Sequence, residues 1–206
     1  MISVQDRSGW FGASDTSYIM GNWNTKTFKK WWLIKLGINT DHFTNLAMTA
    51  GTYFEHRILD VIGSPRRDYQ IIIPEYRLRI NYDGDGEGRI DEVKTHNINK
   101  PFKVTKGYDM QVKVQMFGKR WEEGKLPDAK IWAYGLREED YRNFFNPIDQ
   151  ERLKPYPIEF DELFIERYLN RISYLAECLE KGVIPSEETY SMRNDNRVHK
   201  GIWRHN

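Results

Sequence analysis

Three residues in the stretch NYDGDGEGRIDEVKTH, residues 81–96, have the types and spacing to handle a phosphodiester: Asp83, Glu92 and Lys94. Read as a hairpin, Asp83 ends one strand and Gly84 to Gly88 make the turn. In the returning strand Ile90, Glu92 and Lys94 project to one face, because strand side chains alternate. Twist of the hairpin brings Asp83 beside them. Two carboxylates and the Val93 carbonyl offer oxygen ligands to a hard cation such as Mg²⁺, with Mn²⁺ able to substitute. Lys94 can hold an attacking water or offset charge on a transition state, while the cation lowers the water's pKa and neutralises the phosphoryl group. Asp85 is a rival to Asp83 as the first ligand. Asp91 points to the opposite strand face and reads as structural.

The alternating glycines and acids also suggest a calcium loop. Counted from Asp83, the oxygen-bearing positions and the central Gly88 fit an EF-hand until the closing position, which needs a bidentate glutamate and holds Lys94. The flanks fail too. The preceding residues alternate as a strand, and Pro101 follows soon after, where an EF-hand needs a helix on each side.

The elements that must position these residues follow from periodicity. Short helical sequence starts at Ser14 or Asp15. A second helix is expected after Thr25 as N-cap, with Gly37 as its stop, and a third over NLAMTAGTYFEHRILDVIG. Strand sequence begins near Tyr69 with YQIIIP. In EYRLRINYD, Tyr76, Leu78, Ile80 and Tyr82 share one face. A helix over KGYDMQVKVQMFGKRW, a buried strand DAKIWAYGL and a long helix from about Asp161 to Lys181, closed by Gly182, complete the domain. Helices, a three-strand run, a helix, a strand and a helix make an α/β domain with a central mixed sheet flanked by helices. One domain over residues 1–185 is expected, with a polar, basic, loosely ordered tail over 186–206.

Composition narrows the classes. Hydrophobic residues at 39% and aromatics at 14% predict a folded core. Lys plus Arg at 31 against Asp plus Glu at 30 leaves net charge silent about partners, so a nucleic-acid reading needs local patches. Lys100, Lys103, Lys106, Lys113, Lys119 and Arg120 form such a group. Cys178, the single cysteine, excludes an internal disulfide and an all-cysteine cluster. With no signal-peptide pattern and no membrane-length apolar run, a cytoplasmic protein is expected, with no membrane partner. Of the seven tryptophans, Trp10 and Trp23 are candidates to meet bases.

The Asp-(eight residues)-Glu-x-Lys pattern resembles the PD-(D/E)xK nuclease superfamily, and the order of elements resembles its phage λ-type alkaline exonuclease (YqaJ-like viral recombinase) family. GAS places Ser14 seven residues after Arg7, GTYFE supplies Gly51 and Glu55, and YDMQVKVQM supplies Gln111. Two departures stand out: Tyr82 precedes the first acid where many members have proline, and Gln115 replaces the tyrosine of RecB-like relatives. The resemblance spans about residues 7–181. It implies a restriction-endonuclease-like core and an Mg²⁺-dependent deoxyribonuclease working 5′ to 3′ from the free ends of double-stranded DNA, in single-strand-annealing recombination. It implies that Asp83, Glu92 and Val93 hold metal, that Glu55 acts through water or on a second metal, that Gln111 orients Lys94 or the attacking water, and that Arg7 and Ser14 bind a terminal phosphate. A homo-oligomer, by resemblance a ring trimer, and an annealing protein partner are further implications. A structure-selective or nicking endonuclease on the same core is the alternative, and a catalytically silent DNA-binding module the reading from another class.

Overall fold

The computed structural model describes residues 8–39 and 45–198, with side chains through Arg193. A 3₁₀ turn, Ala13–Asp15, leads into α1 (Thr16–Ile19) and α2 (Lys26–Lys35). Thr25 caps α2 by accepting from the Phe28 N–H at 3.1 Å, and Gly37 leaves the helix in the left-handed region at φ 71°. Helix α3 (Leu46–Val61) is capped by Asn45. The sheet begins with β1 (Arg66–Ile73), β2 (Leu78–Gly86) and β3 (Arg89–Asn97). Next come α4 (Lys106–Glu123), β4 (Asp128–Leu136), α5 (Glu138–Arg142), β5 (Leu153–Ile158), α6 (Glu162–Glu180) and α7 (Glu187–Val198).

The five strands lie in chain order. β3 and β4 are parallel, joined by α4 as the crossover, and the other pairs are antiparallel. This is the expected mixed α/β sheet flanked by helices. A larger core lies between the sheet and α1, α2, α4 and α6, drawing on Trp32, Ile80, Val114 and Tyr168. A smaller core holds α3 against the other face through Phe54, Ile58, Val93 and Tyr134. β3, clamped between the two, is the central strand on which the candidate catalytic residues sit.

The structure departs from the sequence reading in four places. β2 starts at Leu78 rather than Tyr76, because Pro74–Tyr76 form a 3₁₀ turn and Arg77 takes φ 48°. The hairpin turn is Glu87–Gly88 alone, with Gly88 at φ 64°, so Gly84, Asp85 and Gly86 belong to β2. β5 was not expected because Pro155 and Pro157 break strand propensity. It is an edge strand, where a missing N–H costs no ladder bond on the open side. The segment read as a loose tail carries α7, docked by Arg171 on Glu187 at 3.0 Å and by Tyr190 edge-on to Trp23 at 5.3 Å. No helix among the described residues is long and apolar enough to cross a membrane.

Candidate active site

The site forms where β2 and β3 part. Their ladder runs from Gly86↔Arg89 to Gly84↔Asp91 and stops there. The side chain of Asp83, the next residue on β2, replaces the lost backbone partner, its Oδ2 accepting from the Val93 N–H at 2.9 Å. Two residues back along β2, the Asn81 carbonyl accepts from Gln115 Nε2 at 3.1 Å. Side-chain groups thus satisfy a sheet opened between two central strands, as buried backbone polar groups require. Gly84 lets α3 approach this point. A Cβ there would strike Ser64 Oγ and come within 2.5 Å of Leu59 Cδ2, so no side chain fits between β2 and the end of α3.

Glu92 is the hub. Its side chain is 1% exposed. Oε1 accepts from Lys94 Nζ and from Gln111 Nε2, both at 2.5 Å, and Oε2 accepts from Gln115 Nε2 at 2.7 Å. Gln111 and Gln115 stand one helical turn apart on α4, on the face turned to the sheet. Both groups that Gln115 Nε2 meets are acceptors, which fixes the orientation of its amide. Its Oε1 is buried without a protein partner. Three strong donors on one carboxylate hold Glu92 in one orientation.

The electrostatics record a surplus of acid. Glu55, on α3, is pushed from the ordinary 4.5 to about 7, first by burial, then by the Glu92 charge and, more weakly, by Asp68, with Lys94 opposing. Burial likewise raises Asp83 well above the usual aspartate range, with Glu92 and Glu55 adding to it and Lys94 and the Val93 N–H working against. Burial disfavours the Lys94 ammonium, but Glu92 and Asp83 beside it outweigh that and hold it charged beyond the ordinary lysine value. Three carboxylates therefore face one ammonium. The missing charge and the all-oxygen donor set of Asp83, Glu92 and Glu55 fit a hard divalent cation. Asp68 brings a further carboxylate close: its Oδ2 is 3.3 Å from His56 Nε2, and ligand atoms of Glu55, His56 and Asp68 lie within 4.8 Å of one another.

Asp83 and Asp85 have different surroundings. Asp85 is fully buried and committed to a structural ion pair. Arg66 grips it with Nε–Oδ1 at 2.8 Å and Nη2–Oδ2 at 2.5 Å, and the buried Lys119 ammonium donates to the same Oδ2. Against the raising effect of burial, these cations hold its carboxyl below the usual range. Lys119 is consequently removed from the group of candidate phosphate contacts: it is buried between Asp85 and Glu123. Arg120 pairs with Glu162 and Lys113 with Asp109, whereas Lys100, Lys103 and Lys106 reach solvent. Asp91, as its strand face suggests, is structural, accepting from Arg89 Nε at 2.7 Å and Trp132 Nε1 at 2.8 Å. Trp23 is buried at 1% exposure, stacked on Tyr174 and unable to meet a base.

Ser14 is exposed on the 3₁₀ turn that packs against α4. Arg7 lies outside the described residues. Gln115 is the site residue that the sequence reading registered only as a departure. Its signal was the Gln-x-x-x-Gln spacing on a helix whose first glutamine was already a candidate.

Solved structures similar to this chain are exonucleases. The alkaline exonuclease LHK-Exo from Laribacter hongkongensis superposes with a TM-score of 0.61 at 18% identity, over 93% of this chain and 96% of that one. Its complex with dAMP gives 0.62 at 19% identity over the same shares. A phage-related exonuclease from Haemophilus somnus 129PT gives 0.57 at 16% identity, over 84% of this chain and 94% of that one. The chain has the alkaline-exonuclease fold. No protein-family model matches it, and no curated protein does. The exonuclease fold accounts for 93% of the chain.

Proposed function

We propose that the chain is a metal-dependent deoxyribonuclease that digests one strand of double-stranded DNA from a free end. The observation that carries this reading is the Asp83–Glu92–Lys94 set, held by Gln111 and Gln115 at the opened β2–β3 ladder of an exonuclease fold. Asp83, Glu92 and the Val93 carbonyl would hold Mg²⁺, with Mn²⁺ able to substitute, and Glu55 would act through water or at a second cation. When bound, the cation supplies a water of lowered pKa and neutralises the phosphoryl oxygens.

The chain's own residues do the rest. The two carboxylates beside Lys94 keep it protonated, so it serves as a donor and a positive charge, not as a base. It can orient the attacking water and offset charge that builds on the phosphoryl oxygens. Gln111 and Gln115 fix Glu92 so that this geometry exists before substrate arrives. Hydrolysis forms the bond from water oxygen to phosphorus, breaks the bond to the 3′-oxygen, and passes a proton to that leaving group. Polarity from 5′ to 3′, with the end phosphate on Ser14 and Arg7, belongs to the same reading. So do a place in phage-type annealing recombination, a ring-shaped homo-oligomer and an annealing partner.

Linear and covalently closed circular DNA, each with Mg²⁺ and with chelator, test it, using wild type and Lys94→Ala. Metal-dependent loss of linear DNA alone, abolished in the variant, is expected. Cleavage of closed circles would assign an endonuclease on this core, and equal cleavage by the variant would remove Lys94 from the chemistry. Comparing 5′-phosphorylated with 5′-hydroxyl ends tests the role given to Ser14 and Arg7.

A further inference from the structure

A pocket of about 210 Å³ opens beside the candidate catalytic centre, on the same face of the sheet. Sheet register places it. Lys94 pairs with Ala133 and Ala133 with Lys154, while His96 pairs with Gly135. Side chains at 92, 94 and 96 share a face, so His96 stands about 6.7 Å along β3 from Lys94. Ala133 and Gly135 leave the floor low. A Cβ at Gly135 would come within 3.0 Å of Ile98, which closes one end.

The rings of Phe102, Tyr156 and His96 form one wall, and the exposed Glu151 is the one acid in the lining. Phe102 lies 5.0 Å from Tyr156 and 5.3 Å from His96 between ring centres. It is also parallel to Tyr108 at 6.3 Å, and the Lys94 ammonium sits 5.2 Å from the Tyr108 ring. A continuous set of rings therefore runs from the catalytic ammonium into the pocket. At the mouth, Lys100 and Lys154 reach solvent and take part in no ion pair among the described residues. Arg152 is committed elsewhere, to Asp140 at 2.6 Å and the Gly135 carbonyl at 3.2 Å, and serves as a wall. His96 Nδ1 faces the carbonyls of Asn97 and Lys100 at 3.0 and 3.1 Å. Nδ1 must therefore carry the hydrogen, which leaves Nε2 able to accept in the neutral ring.

Flat rings, one ring-nitrogen acceptor and two unpaired ammoniums at the rim are the combination that holds a base with its phosphate outside. The volume falls below the roughly 300 Å³ at which pockets for whole small molecules begin, which favours a base over an entire nucleotide. We propose that this pocket takes the base of the nucleotide next to the scissile phosphate, against Phe102 and Tyr156, with that nucleotide's phosphate on Lys100 and Lys154. The assignment rests on the nuclease reading above.

The test is an abasic scan. Wild-type protein is given DNA duplexes carrying one abasic nucleotide at successive positions from the cut end. One position is expected at which kcat/KM falls roughly tenfold, the size of one base–aromatic stack. A Phe102→Leu/Tyr156→Leu variant is expected to show that loss on intact DNA and no further loss on the abasic duplex. Indifference of wild type at every position, or the same abasic sensitivity in the variant, would overturn the proposal. The wild-type scan does not depend on how well the variant folds. If wild type cleaves no DNA at all, the nuclease reading fails and the pocket is judged by binding in chelator. Quenching of a 2-aminopurine oligonucleotide that is lost in the variant would keep the base site, and absence of quenching would end it.

Discussion

Glu55 offers a prediction whose size follows from the structure. Its carboxyl stands at about 7 against an ordinary 4.5, because burial and the Glu92 charge disfavour ionisation. Between these two values the folded protein keeps a proton that the unfolded chain has released. Stability of the metal-free protein therefore falls as pH rises through this window and levels off above about 7. At about 1.4 kcal/mol per tenfold change in proton affinity, ionising Glu55 in the folded state costs about 3 kcal/mol. For a chain of this length that corresponds to roughly 6–12 °C in Tm. Thermal unfolding in chelator, followed from pH 5 to pH 8.5, should show wild type losing that much relative to Glu55→Gln, which cannot ionise. Saturating Mg²⁺ should restore more of the loss in wild type than in the variant, since a cation bound to the folded state relieves the same repulsion. Parallel pH profiles for the two proteins would refute the argument, because they would mean that the buried acid cluster does not strain the metal-free fold.

Other consequences can be checked on the same samples. Asp83→Asn should abolish cleavage while leaving Tm unchanged or higher, since it removes one of three crowded carboxylates. Asp85→Asn should do the reverse, lowering stability by about 3–5 kcal/mol by taking the carboxylate shared by Arg66 and the buried Lys119 and leaving Lys119 with Glu123 alone, with cleavage per folded molecule retained. Gln115→Leu should leave Glu92 Oε2 and the Asn81 carbonyl without a donor, costing about 1–3 kcal/mol in stability. It should also lower kcat more than it raises KM. A Gly84→Ala protein should unfold several degrees earlier, as the new methyl meets Ser64 and Leu59; an unchanged Tm would show that α3 does not need this close approach.

The acid–acid–lysine set was legible because it depends on strand alternation, which survives errors in the turn. Glu92 and Lys94 share a face wherever the hairpin reverses. The partner of Glu92 across the hairpin was less legible. Asp83 and Asp85 have the same parity, and a glycine-rich stretch reads as loop, so either fits the end of the strand. The structure extends β2 through Asp85 and reverses in two residues. That places Asp85 opposite Arg66 and beneath Lys119, contacts made by segments 19 and 34 residues away in sequence. Nothing local to the stretch announces them. The same distance hid the burial of Lys119, which in sequence is one more cation on a basic helix.

What sequence could not supply is the reason the site lies where it does. Alternation places Asp83 next to Glu92 on a continuous hairpin, but a continuous hairpin would spend the Val93 N–H on a backbone carbonyl. Because the ladder stops after Gly84, that N–H is free to hold the Asp83 carboxylate, and the Asn81 carbonyl is free to hold Gln115. Gln115 then reaches Glu92 from the opposite side to Lys94. The gap between two central strands thus gathers one acid from each strand and two amides from α4, with the Glu92 side chain at their centre only 1% exposed. A Gln115 change acts on this opening before it acts on any cation, which is why a loss of stability and a loss of turnover should appear together in Gln115→Leu and apart in Asp83→Asn.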